Sequence, residues 1–166
     1  MRSSRVLVVY FSRTGTTRRV ALDIARALGA DVAELTEARP RTGLLGYLRS
    51  GFEASLRRTT TLQNAHEEAL RYDLVVVGTP VWSASVCSPV RTFLRRHAGK
   101  LPALAFFATM GGRGSERAFL EMTQEAKREP VASFAVTARD VQAGRHLAAV
   151  DGFVGNLRRA AVPPAA

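Results

Sequence analysis

A chain of 166 residues, 46% hydrophobic and 23% charged, has the size and balance of one globular domain with a single full core. No apolar run approaches the roughly 18 residues of a membrane span, and with Cys87 as the only cysteine no internal disulfide is possible; a cytoplasmic protein is expected. Lys+Arg 24 against Asp+Glu 14 gives a net charge of +10, with a sequence pI near 11.2. All the basic residues except Lys100 and Lys127 are arginines, spread along the chain as pairs such as Arg18/Arg19, Arg57/Arg58, Arg95/Arg96 and Arg158/Arg159. No basic arm or base-reading motif accompanies them, so nucleic acid is not an expected partner. The charge favours anionic ligands, an acidic partner protein or an anionic membrane surface.

In chain order, Val6–Phe11 is a continuous apolar run, the mark of a parallel strand covered on both faces. Ala21, Ile24, Ala25 and Leu28 then recur at helical spacing, and Gly29 stops the helix. Asp31–Leu35 reads as a second strand. Leu45, Leu48, Phe52 and Leu56 share a face of an amphipathic helix in the Arg39–Arg58 segment, which packs on a sheet or docks an acidic surface. Leu74–Val77 is a third strand, ending in Gly78-Thr79-Pro80. Pro89 opens a helix carrying Val90, Phe93 and Leu94.

Ala103–Ala108 is a fourth strand. A helix with Phe119, Met122 and Ala126 follows and breaks at Pro130. Val131–Val136 is a fifth strand, and Leu147, Val150, Phe153, Val154 and Leu157 form a closing helix. Alternation of this kind predicts an α/β fold, a doubly wound five-stranded parallel sheet with helices on both faces. Residues 1–160 make one domain, with 161–166 a tail.

Ligands of open parallel sheets bind beyond the carboxyl ends of the strands. Three segments there are unusual. Ser12-Arg13-Thr14-Gly15-Thr16-Thr17 sets four hydroxyls around a glycine at the start of a helix. One or two hydroxyls fit a turn with an N-cap; four fit an anion held by N–H groups and a helix dipole better. The segment matches neither the lysine-bearing phosphate loop of nucleotide triphosphatases nor the Gly-x-Gly-x-x-Gly dinucleotide fingerprint. Thr79-Pro80-Val81-Trp82-Ser83 carries the only tryptophan, which either plugs the end of the core or covers a flat ring. Thr109-Met110-Gly111-Gly112 is either a flexible loop or one that lets a ligand approach the backbone.

Taken together with Tyr10-Phe11 and Tyr72–Gly78, these segments resemble flavodoxins and flavodoxin-like quinone or NAD(P)H oxidoreductases over nearly the whole chain. The most specific match is Ser12–Thr17, similar to that family's [Ser/Thr]-x-Thr-Gly-x-Thr loop for the FMN phosphate. The resemblance implies strand order 2-1-3-4-5 with FMN at the switch point. It also implies that Ser12, Thr14, Gly15, Thr16 and Thr17 hold the phosphate, with Arg13 beside it or turned to solvent. Thr79, Pro80, Val81, Trp82 and Ser83 would line one side of the ring, and Thr109, Met110, Gly111 and Gly112 the other. No protein nucleophile is implied, because the chemistry is on the flavin.

Two departures stand out. Electron-carrier flavodoxins are acidic, whereas this chain is at +10, and positive charge favours the reduced, anionic ring. The Met110-Gly111-Gly112 segment also lacks an aromatic, leaving Trp82 as the ring available for stacking. The functions in play are an FMN-dependent oxidoreductase acting on quinones, a one-electron carrier, and a flavin-free regulatory module. The partners implied are a redox protein, NAD(P)H or a quinone, for a monomer or homodimer. His66, His97 and His146 have no metal-ligand spacing, and Cys87 reads as a small buried residue.

Overall fold

The computed structural model describes residues 4–38 and 59–161. Five strands form a parallel sheet: β1 (Val6–Tyr10), β2 (Asp31–Glu34), β3 (Leu74–Trp82), β5 (Ala103–Met110) and β6 (Ser133–Thr137). A two-residue strand, β4 (Ser85–Val86), pairs antiparallel with the end of β3. The order across the sheet is β2-β1-β3-β5-β6, which is the expected 2-1-3-4-5 once the β4 hairpin is set aside. The helices are α1 (Thr16–Leu28), α2 (Ser88–Arg96), α3 (Ser115–Ala126), α4 (Ala138–Gln142) and α5 (His146–Ala161), with a 3-10 turn at Glu67–Arg71. Among the described residues, no helix is long and apolar enough to cross a membrane. The helix expected over Leu45–Leu56 lies outside the described residues.

Strand side chains alternate between faces, so the sheet builds two cores. Val8, Tyr10, Val76, Ala105 and Phe107 point to the face covered by α1 and α5, meeting Ile24, Phe153 and Leu157. Leu7, Val9, Val75, Val77, Leu104 and Phe106 point to the other, meeting Phe93, Leu94 and Met122. Both faces are covered, which explains why the strands read as unbroken apolar runs.

The helix limits follow local chemistry. Gly29, at φ +63°, ends α1 and donates its N–H to the Ala25 carbonyl. Pro89 sits in the first turn of α2, where its missing N–H removes no helical bond. Lys127, at φ +53°, ends α3 before Pro130 is reached.

Several details differ from the sequence reading: β5 runs past Ala108 to Met110, and β6 spans Ser133–Thr137 in place of Val131–Val136. β3 does not stop at Val77 but runs on through Gly78, Thr79 and Pro80 to Trp82. Proline is tolerated because β1 has already ended opposite Gly78, so Pro80 pairs only with Thr109 of β5. Leu147, expected in the core, is 50% exposed, on the outer side of the first turn of α5. The five-residue helix α4 was not anticipated.

Candidate functional site

β1 and β3 are neighbours, yet the chain leaves them towards opposite sides of the sheet. Between their carboxyl ends a cleft opens. The first wall is the loop joining β1 to α1. Gly15 there has φ +91°, with open space where a Cβ would stand, so the backbone conformation selects glycine. Its N–H donates to Ser12 Oγ at 3.1 Å, folding the loop back on itself. Helix α1 then begins without a side-chain cap and without an acidic residue in its first turn. Its dipole and leading N–H groups are left to suit an anion.

Thr14, Thr16 and Arg13 line the cleft beside that helix end, and the Thr14 and Thr16 hydroxyls stand 3.4 Å apart. Thr17 also lines it, but its buried hydroxyl shares a 2.7 Å hydrogen bond with Thr109 across the sheet. Thr17 thus ties the first turn of α1 to the end of β5. Ser12 and Gly15 shape the loop from behind and do not line the cleft.

The second wall is the β3–β4 hairpin. Pro80, Val81 and Trp82 line the cleft. The turn passes through Ser83 and Ala84, with φ of +50° and +56°, and returns so that Trp82 pairs with Ser85 and Val81 with Val86. The Trp82 ring packs edge-on against Phe11, with centroids 5.7 Å apart and planes at 85°. Thr79 points into the core; its hydroxyl accepts the Cys87 N–H at 3.3 Å and donates to the Pro80 carbonyl at 2.8 Å. Ser83 is exposed at the hairpin tip.

The third wall is the end of β5, where Thr109, Met110 and Gly111 line the cleft and Gly112 is exposed beyond it. A Cβ at Gly114 would stand 2.7 Å from the Ala84 Cα, so this loop and the hairpin tip are in close contact. Ala138, at the start of α4, completes the lining. Sequence reasoning missed it, because an alanine carries no signature of its own. Its position directly after the last strand was the available signal. The Thr137 side chain caps α4, accepting the Asp140 N–H at 3.1 Å while its hydroxyl donates to the Asp140 carboxylate at 2.7 Å. That bond, with help from Arg145, holds the Asp140 carboxyl below its ordinary range.

Among the described residues, the cleft lining includes no carboxylate, imidazole, amine or thiol. It offers hydroxyls, N–H groups, one guanidinium and an aromatic wall, a set suited to holding an anion beside a flat ring. The three histidines are engaged elsewhere: His66 with Glu68 at 3.0 Å, His97 with the Ala65 carbonyl at 2.8 Å, and His146 with Asp23 at 2.8 Å. Cys87 is fully buried. A larger cavity of about 350 Å³ opens at the amino end of the strands, among Val6, Leu28, Leu74 and Leu157. Its two charged lining residues are already engaged: Asp73 accepts the Arg5 N–H, and Arg158 donates to the Ala27 carbonyl. The chemistry gathers at the carboxyl end.

The chain was compared with known proteins. The family model described as flavodoxin matches residues 5–134. A candidate flavoprotein from Bacteroides eggerthii superposes with a TM-score of 0.70 at 25% identity, covering 88% of this chain and 98% of its own. A flavoprotein from Lactobacillus acidophilus, solved in complex with FMN, gives 0.69 at 18% identity, covering 86% and 97%. Flavodoxin 2 from Bacillus cereus gives 0.59 at 18% identity, covering 94% and 99%. No protein among those with curated functions matches the chain in sequence. With the family match running over most of its 166 residues, this chain belongs to the flavodoxin family.

Proposed function

We propose that this chain holds FMN in the cleft and works as an oxidoreductase, moving electrons or hydride through the flavin between a reduced donor such as NAD(P)H and a small acceptor such as a quinone. The observation that carries the reading is the placement of an uncapped helix N-terminus and an aromatic wall on two sides of one cleft. A phosphate fits the first and a flat ring the second. That the Lactobacillus acidophilus relative was solved with FMN supports the same choice.

In this reading Thr14, Thr16 and the leading N–H groups of α1 bind the phosphate, and Gly15 gives the loop its shape. Pro80, Val81 and Trp82 orient one side of the ring, while Met110 and Gly111 approach the other. The apolar walls keep water from the ring. FMN supplies a ring system able to take up and release electrons singly or as hydride. Arg13 lines the cleft, and Arg113 and Arg139 follow closely on two of its walls. Positive charge so placed favours negative charge on the ring and raises its two-electron potential. An enzyme passing hydride to a quinone makes use of that bias more than a low-potential carrier does.

The test is reconstitution. Purified protein titrated with FMN should bind one equivalent, with quenching of Trp82 emission. Replacing both Thr14 and Thr16 by valine should weaken binding by at least about tenfold, the equivalent of one lost hydrogen bond or more. Unchanged affinity would remove these hydroxyls from the site. NAD(P)H-dependent quinone reduction by the loaded protein is the expected activity; FMN retained without turnover would point instead to a carrier.

A further inference from the structure

Beneath the Trp82 hairpin lies an ionic cluster that the cleft does not use directly. Arg91 of α2 is fully buried, and Glu121 of α3 is 3% exposed. The Arg91 guanidinium donates to Glu121 Oε2 at 3.0 Å and to Ser85 Oγ at 2.9 Å. The Ser85 hydroxyl in turn donates to Glu121 Oε2, which also accepts the Val86 N–H at 3.3 Å. Glu125 approaches Arg91 Nε at 3.6 Å, and Arg117 approaches the other Glu121 oxygen at 3.4 Å.

Both residues of β4 are therefore gripped from below, and Ser85 is the residue that pairs with Trp82. A buried ion pair adds little stability over a well-packed apolar one. What it does supply is a fixed position. The hairpin needs one from outside. Its second strand has only two residues, and its turn places Ser83 and Ala84 at positive φ. Such a two-residue turn is preferred by Asn-Gly and not by Ser-Ala. Gly114 meets Ala84 from the opposite side, so the tip is held between the glycine loop and the cluster.

We propose that Arg91 and Glu121 are positioning residues for the flavin: through Ser85 and Val86 they set the hairpin, and with it Trp82, in the orientation that receives the ring. The inference rests on the FMN reading above. A purely architectural role, tying α2 to α3, would leave Trp82 and the ligand unaffected when the link to the hairpin alone is cut.

Ser85→Ala makes most of that cut: it removes both side-chain bonds to β4 and leaves the 3.3 Å Val86 N–H bond to Glu121. It keeps Arg91 and Glu121 together, whereas Glu121→Gln removes the charge that organises the cluster. Two measurements are made on each variant: acrylamide quenching of Trp82 emission in the FMN-free protein, and the FMN dissociation constant from titration. Ser85→Ala should melt within a few degrees of the wild type. It should expose Trp82 to acrylamide and weaken FMN about tenfold through lost preorganisation. Glu121→Gln should do the same more strongly; should it fail to fold, Ser85→Ala decides alone. Either readout left at its wild-type value in Ser85→Ala overturns the proposal. A wild type that takes up no FMN removes the flavin reading itself, a result visible without any variant.

Discussion

Two glycines near the cleft serve opposite needs. Gly15 has open space around it but a φ of +91°. An alanine there would strain the turn by about 1–2 kcal/mol and distort the phosphate loop, so Gly15→Ala should weaken FMN more than it lowers the melting temperature. At Gly78 the backbone is ordinary and room is lacking: a Cβ would stand 2.0 Å from the Phe107 ring. That ring is fully buried and stacks on Phe134, with centroids 6.1 Å apart. Gly78→Ala should cost about 3 kcal/mol, at the upper end for overpacking, measured by urea unfolding. A loss below about 0.5 kcal/mol, the scatter of neutral surface changes, would show that Phe107 swings aside. The sequence made Gly15 legible, because a glycine among four hydroxyls after a strand has few other uses. Gly78 was legible only as a strand end, since its partner lies on another strand, 29 positions further along the chain. The same blindness hid Arg91 and Glu121: two charged residues 30 positions apart on separate helices carry no sign of each other until the fold brings them together under the β3–β4 hairpin.

Periodicity revealed the long elements and missed those that finish the site. The apolar runs of β1, β3 and β5 and the spacing in α1 and α5 carry the sheet and its layers. The extension of β3 through Pro80 was hidden because proline normally ends a central strand, and only the early end of β1 makes it acceptable. The hairpin was hidden because Ser83-Ala84 lacks the residues its turn prefers. Ala84 sits at φ +56°, so Ala84→Gly should stabilise the protein by about 1 kcal/mol, the approximate relief of left-handed strain, and thermal melting reads it directly. Unchanged or lower stability would mean that the turn's surroundings already select alanine. Helix α4 was too short to show a period, yet it carries cleft-lining Ala138 and is fastened by Thr137 and Asp140. Because the Asp140 carboxyl is held below its ordinary value of 3.8, the ionised cap is complete above that pH. It is lost as the pH falls further, through the depressed value of the folded protein. Hydrogen-exchange protection of the α4 amides should fall over that acid window, and should fall at a higher pH in a Thr137→Val variant, which lacks the hydroxyl bond.

For the whole molecule, the net charge of +10 was plain from composition, and its arrangement was not. Many arginines are matched by carboxylates on neighbouring elements: Arg18 with Glu34 at 2.7 Å, Arg95 with Glu125 at 2.7 Å, Arg96 with Glu67 at 3.0 Å and Arg145 with Asp140 at 2.8 Å. These surface pairs add little to stability. Their effect is to cancel charge along the flanks, while at the cleft Arg13 lines the wall and exposed Arg113 and Arg139 follow its lining residues. A field of this sign draws in an anionic reactant and is indifferent to a neutral one. Reduction of the FMN-loaded protein by NADPH, followed at low substrate concentration, should therefore slow by roughly tenfold as ionic strength rises from about 10 to 150 mM, over which the screening length contracts from about 30 to 8 Å. Reoxidation by an uncharged quinone should not change. Arg113→Glu with Arg139→Glu should flatten the salt dependence of the first reaction and leave the second alone. If both reactions show the same slope, the charge acts through the fold and not through encounter. If neither does, the arginines near the cleft do not steer the donor, and the positive charge serves the flavin's potential instead.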